Sequence, residues 1–217
     1  MELESIFTDS KWRIITELSH NSLSPTNLAK KTGTSLPNIS TQLKLLEALD
    51  FVEKNKLNNV GKGNPRKIYS LKKECAYVIV GTKNAVGKRM IKLNSDSKFF
   101  FSSLLISEQK AGYLLVKLFF QEEDLFRETI TIGFIGKSEG ILEILIISEN
   151  TEKYQILNNK KITSEGKEYG INAHIHSKDA FVNGINNNDT YFKSILHKVF
   201  ILWDKENFMS NLKKGGT

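Results

Sequence analysis

The chain holds a single cysteine, Cys75, among 217 residues. One thiol rules out an internal disulfide framework, and it rules out the multi-thiolate sites that soft metals need. Long hydrophobic runs are also missing. A membrane helix needs roughly 18–20 apolar residues in a row. The longest apolar stretches, FFFSSLLI (99–106) and ILEILII (141–147), are strand- or core-sized. The N-terminal stretch MELESIFTDS is acidic and polar, unlike a secretory signal. There is no internal repeat and no low-complexity tract. Prolines are scarce, and all three (Pro25, Pro37, Pro65) fall within one short segment. These absences point to a soluble, cytoplasmic protein with no membrane partner.

Apolar residues make up 40% of the chain, enough for genuine cores. The length suits one large domain or two small ones. The formal charge is +7 and the sequence pI about 9.3. That balance favours an acidic partner, nucleic acid first and a membrane surface second. The charge is localised. From Ser24 to Lys73 there are ten Lys/Arg against Glu47, Asp50 and Glu53, and the rest of the chain sums to zero.

Local signals in the same region read as helix, helix, helix, hairpin. Asp9 or Ser10 can cap a first helix with Trp12, Ile15 and Leu18 as its apolar stripe. Ser24 caps a second helix, Pro25 fits its first turn, and Leu28 and Ala29 face inward. Gly33 ends it in the left-handed conformation of a helix stop. Ser35 caps a third helix with Pro37 in its first turn. So tight a Gly-containing turn makes the two short helices cross steeply, as a helix-turn-helix does. Ile39, Leu43, Leu46 and Leu49 give the third helix an apolar back, while Asn38, Thr41, Gln42 and Lys44 give it a polar front. The segments 52–57 and 66–71 are strand-length and flank the turn-rich NNVGKGNP, which makes a basic β-hairpin.

The run LAKKTGTSLPNISTQLKLLEALDFV, followed by this hairpin and YSL, resembles the winged helix-turn-helix of ArsR- and MarR-like transcription regulators. The likeness covers residues 10–73. Asp50 stands where that family usually has glycine, and Asp tolerates the left-handed conformation better than most residues. The resemblance implies a recognition helix over 35–49 in the major groove of double-stranded DNA and a wing over 52–71 beside it. Asn38 and Gln42 suit bidentate pairing with adenine, Thr41 suits either edge or a thymine methyl, and Pro37 lies with them as a base contact. Ser35, Ser40, Lys44, Lys62 and Lys67 suit phosphates, which fix register. Arg66 is the minor-groove candidate. The ArsR-type cysteine metal site has no counterpart, so no metal or cofactor is expected.

Residues 75–104 read as a connector, with YVIV a short strand and AVGKRMIKL a helical piece. Beyond it, SEQKAGYLLVKLFFQEEDLFRE reads as one long helix capped by Ser107. Strands follow at 129–136 and 141–148, separated by KSEG, then a helix beginning at TEKYQILNN and continuing through KKITSEGKEYG. INAHIHS (171–177) is a third strand, KDAFVNGI and DTYFKSILHK are helices, and FILW is a terminal strand. The whole is α+β: domain 1–74, connector 75–104, and a small α/β domain over 105–217.

This second part resembles the nucleotidyltransferase-like domain of the polymerase-beta superfamily, on IGFIG with ILEILIIS and on INAHIHSKDAF followed by a helix and ILW. A winged helix fused to such a domain is an archaeal arrangement. The family's chemistry needs carboxylates holding Mg²⁺ against a triphosphate. At the paired-aspartate positions this chain has Ile141 and Glu143, and on the third strand Asn172 and His174. The resemblance therefore implies a degenerate copy with no catalytic residues. GFIGKS is too short between its glycines for a phosphate-binding loop. His174 and His176 alternate on one strand face without a cysteine beside them and read as exposed strand histidines.

The sequence thus favours a DNA-binding transcription regulator that acts as a homodimer, with its second domain serving dimerisation or the sensing of an unidentified small-molecule effector. A nucleotidyltransferase tethered to DNA and a non-sequence-specific architectural protein are the alternatives.

Overall fold

A computed structural model describes residues 8–57 and 66–215. The chain divides between Lys92 and Leu93 into two compact units.

The first unit begins with α1 (Asp9–His20), α2 (Pro25–Thr32) and α3 (Leu36–Ala48). Two antiparallel hairpins follow, β1 (Val52–Leu57) with β2 (Arg66–Leu71), and β3 (Cys75–Gly81) with β4 (Val86–Lys92). The punctuation of α2 works as the sequence suggests. The Ser24 hydroxyl accepts from the Asn27 amide at 3.2 Å, Pro25 opens the helix, and Gly33 closes it at φ 65°. A residue with a Cβ is strained there, which is why glycine holds the turn. Asp50 is likewise left-handed, at φ 62°.

Ile14, Leu18, Leu28, Ile39, Leu43, Leu46, Phe51 and Tyr69 form this unit's core. Leu23 and Tyr69 exchange both backbone hydrogen bonds at 2.9 Å, which ties the α1–α2 loop to β2. Two local expectations for α1 are corrected. Its inward stripe is Ile14 and Leu18, whereas Trp12 is 54% exposed, because the helix is rotated to place the i, i+4 pair inward. Its N-cap is Thr8, and Asp9 lies in the first turn, where a negative charge complements the helix dipole. Ser35 occupies the N-cap of α3 but its side chain makes no capping bond.

The stretch expected as a connector belongs to both units. AVGKRMIKL is strand β4 and its preceding turn, not a helical piece, because it pairs residue for residue with β3, from Cys75↔Lys92 to Gly81↔Val86. Residues 95–104 form a helix of the second unit.

That unit contains α4 (Ser95–Leu104), α5 (Gln109–Gln121), α6 (Glu123–Arg127), β5 (Thr131–Ser138), β6 (Ile141–Ile147), β7 (Lys161–Ser164), β8 (Lys167–His176), α7 (Lys178–Asn186), α8 (Thr190–Lys198), β9 (Phe200–Asp204) and α9 (Phe208–Gly215). The strands make one mixed sheet in the order β7-β8-β6-β5-β9, in which only β6 and β8 run parallel. Strand alternation splits the core into two layers. Leu142, Ile144 and Ile146 face the α4–α5 side with Phe99, Leu114, Leu118 and Phe119. Leu145 and Ile147 face the other side with Phe181, Ile195 and Met209 from α7, α8 and α9.

The expected long helix is broken at Glu122, whose backbone (φ −123°, ψ 32°) leaves the helical region and separates α5 from α6; α5 starts after Glu108, not Ser107. The expected helix over TEKYQILNNKKITSEGKEYG is a 3-10 stretch, Glu152–Asn159, followed by the β7–β8 hairpin. Two-residue turns at Glu139–Gly140 and Glu165–Gly166 close the β5–β6 and β7–β8 hairpins, with φ positive at all four residues. This is the turn that matches the right-handed twist of its strands.

Candidate nucleic-acid interface

In α3, Ile39, Leu43 and Leu46 are fully buried against the unit's core. The opposite side carries Pro37, Asn38, Thr41 and Lys44, all exposed, with exposed Ser35 at its start and half-buried Ser40 and Gln42 at its margins. One helix therefore brings seven sequence-selected residues to a single end and face. Leu36, 46% exposed, interrupts the polar surface at that end.

The hydroxyls of Ser40 and Thr41 donate to the carbonyls of Leu36 and Pro37, at 2.9 and 3.1 Å. Each oxygen keeps its lone pairs for an incoming donor. Gln42 Nε2 donates to Asn38 Oδ1 at 3.2 Å, which aligns the two amides one turn apart. The other end of the Gln42 amide is unfavourable. Its Oε1 is covered and meets no donor among the described residues.

Lys44 and Lys67 are exposed and make no ion pair with a described residue. Lys67 sits on β2 opposite Lys56. Arg66 opens β2 opposite Leu57; its side chain, like Lys62 and the tip of the hairpin, lies outside the described residues. The β1–β2 hairpin is fixed to the end of α3 by Asp50, which pairs with Lys72 at 2.6 Å and with Lys73 at 3.2 Å. Those two ammonium groups, Lys72 first, hold the Asp50 carboxyl below the usual carboxylate range. Lys72 and Lys73 belong to the basic excess of residues 24–73, and their bracing role carries no local sequence signal.

Residues 1–92 carry sixteen Lys/Arg against eight Asp/Glu, and residues 93–217 carry fifteen against sixteen. The positive excess of the protein thus lies entirely on the first unit.

The second unit holds a separate polar group on its sheet. Asn172, His174 and His176 lie on one face of β8, and Glu143 is Asn172's partner on β6. The Tyr191 hydroxyl sits 2.9 Å from His174 Nδ1 and 3.0 Å from His176 Nε2. One phenol proton serves only one imidazole, so Tyr191 donates to one ring and accepts from the other. Burial, and then the neighbouring His174, push the His176 imidazole below its ordinary value. The two histidines are thus half-buried and share Tyr191, rather than standing free on an exposed strand. Glu143 is 3.9 Å from His174. Among the described residues no three His, Cys, Asp or Glu side chains are gathered as a metal site would gather them. None of the described helices is long and apolar enough to cross a membrane.

No family model matches the chain, and no curated protein matches its sequence.

Proposed function

We propose that this protein is a sequence-reading DNA-binding transcription regulator. Its first unit acts as a winged helix-turn-helix of the ArsR- and MarR-like kind. The observation that carries the reading is α3. Its apolar back is locked into a core, its polar front exposes Asn38 and Thr41 with half-buried Gln42 at the margin, and it follows α2 through a turn fixed by Gly33. A helix that only covers a core needs no such front. A pure phosphate binder would carry Lys and Arg there. The net positive charge of this unit supplies the phosphate attraction.

In this reading Pro37, Asn38, Thr41 and Gln42 meet base edges, Ser35, Ser40, Lys44, Lys62 and Lys67 meet phosphates, and Arg66 enters the minor groove. The protein works as a homodimer on two half-sites roughly one helical turn apart. The second unit serves pairing or the sensing of a small molecule. It is a nucleotidyltransferase-like domain whose catalytic carboxylates are replaced at Ile141, Asn172 and His174.

Titration of a labelled duplex with the full chain at several salt concentrations tests the proposal. Lys44, Lys62 and Lys67 alone give a log–log salt slope of about −2.7 per protomer, at roughly −0.9 per neutralised phosphate. A slope near zero would remove DNA as the partner. Incorporation of labelled nucleotide with Mg²⁺, abolished in Glu143→Gln, would instead favour the enzyme reading.

A further inference from the structure

The β3–β4 hairpin has a surface that the regulator reading does not use. Residues 75–92 contain Lys83, Lys88, Arg89 and Lys92 and no acidic residue. All of residues 79–89 are exposed, on both faces of the ribbon. A strand of seven residues extends about 23 Å, so a long tongue stands in solvent. Its base is anchored, because Cys75 and Met90 pack against the core that also holds α3.

A two-stranded ribbon is at best marginally stable alone, and its open edges invite pairing with other chains. This one nonetheless exposes Ile79 by 75% and Val86 by 87%, near the basic side chains. Ile79 pairs across the ribbon with Lys88, and Val86 with Gly81, so apolar and basic groups share one face. An added Cβ at Gly81 or Gly87 would touch nothing, so the backbone is bare toward a partner. Apolar side chains beside basic ones on a narrow ribbon fit a nucleic-acid groove. The cations meet phosphates, and Ile79 and Val86 on the strands press on sugars or a base step. A peptide partner would leave the unbalanced positive charge without an answer unless it were acidic, and the unit already carries the protein's whole positive excess.

We infer that the β3–β4 hairpin is a second DNA contact, engaging the phosphates and groove of the same duplex that α3 reads. The inference rests on the DNA-binding reading of the first unit. It adds affinity and salt dependence rather than sequence preference, since phosphate contacts carry no base information.

The test uses the full chain with three substitutions, Lys83→Gln, Lys88→Gln and Arg89→Gln, all at exposed positions. A charge-preserving control carries Lys83→Arg, Lys88→Arg and Arg89→Lys. Circular dichroism melting verifies that both remain folded. The neutralised variant should lose about 2.7 from the magnitude of the salt slope, at roughly 0.9 per contact. Equivalently, its affinity loss between 50 and 200 mM salt should shrink by about 40-fold relative to wild type. The control should keep the wild-type slope, the protected footprint of the neutralised variant should shorten, and its base preference should be unchanged. An unchanged slope and footprint would overturn the inference while leaving α3 reading intact. A lost slope in this variant, together with no effect of Asn38→Ala and Gln42→Ala on base preference, would uphold the hairpin and remove the α3 reading. Sedimentation with vesicles of phosphatidylcholine and phosphatidylserine provides the last arm. Hairpin-dependent vesicle binding without hairpin-dependent duplex binding would overturn the inference in favour of a membrane surface.

Discussion

Replacing Asn38 and Gln42 by alanine, singly and together, separates base reading from helix stability. In the free protein the two amides are joined by one exposed hydrogen bond of 3.2 Å. A pair of this kind stabilises a helix by about 0.2–0.5 kcal/mol. Loss of either partner should therefore move the thermal midpoint by no more than about 4 °C. Each bidentate adenine contact, by contrast, is worth about 1–3 kcal/mol of discrimination, or roughly 5- to 150-fold. The amide–amide bond must break when both side chains turn to bases. Its loss is incurred once in the double variant and offsets each single variant separately. The double variant should accordingly cost more than the sum of the singles, by about the 0.2–0.5 kcal/mol of that bond. The assay is competition between duplexes that differ at one base pair, followed by fluorescence anisotropy at fixed salt. A loss equal on every duplex, or no loss at all, would refute the assignment of these side chains to base edges.

Three further outcomes follow from the geometry. Gly112→Ala should destabilise the second unit by about 1–3 kcal/mol in a denaturant titration, because an added Cβ would lie 2.3 Å from the Ser103 carbonyl oxygen and force α5 away from α4. Asp50→Gly should leave the denaturation midpoint close to that of wild type, since release of the left-handed strain at φ 62° offsets the loss of exposed pairs with Lys72 and Lys73; a large drop in the same titration would mean the brace matters more than its exposure allows. Burial lowers the folded pKa of His176 beneath its ordinary 6.5, so its contribution is complete above that pH and is lost as pH falls toward the folded value. Thermal midpoints measured from pH 7.5 to 5 should therefore fall less steeply below about pH 6.5 in His176→Gln than in wild type.

What the sequence disclosed was the part written in local chemistry. Ser24, Pro25 and Gly33 act within a few residues of themselves, so the bounds of α2 and its turn follow from their identities. The β1–β2 hairpin was legible because alternation and turn residues coincide. The failures are tertiary. Trp12 and Ile14 are both apolar, and only packing against α2 and α3 decides which one faces inward. The β3–β4 hairpin was missed because GTKNAVG offers no two-residue turn signal, and Lys88 and Arg89 interrupt the apolar alternation of β4. Its charge signal, four basic residues and no acid, was present in the sequence all along. The β7–β8 hairpin was missed although its Glu165–Gly166 turn repeats the Glu139–Gly140 pattern that had been read correctly as the break between β5 and β6. The expected helix starts at the 3-10 stretch Glu152–Asn159 and runs on through residues that pair as β7 and β8. Periodicity sorts the buried Ile39, Leu43 and Leu46 of α3 from the exposed Asn38, Thr41 and Lys44, but it foretells neither half-buried Gln42 nor exposed Leu36. The hydrogen bond from Gln42 to Asn38, the covered Gln42 Oε1 and the sharing of Tyr191 by two histidines needed coordinates.

The central claim is that α3 reads DNA sequence. Selection of bound duplexes from a random pool, with the full chain at physiological salt, tests it most directly. The expected result is enrichment of a two-fold symmetric site whose half-sites lie about one helical turn apart, and loss of that enrichment in the Asn38→Ala, Gln42→Ala variant. Recovery of duplexes with no shared sequence, or the same site from the variant, would contradict it.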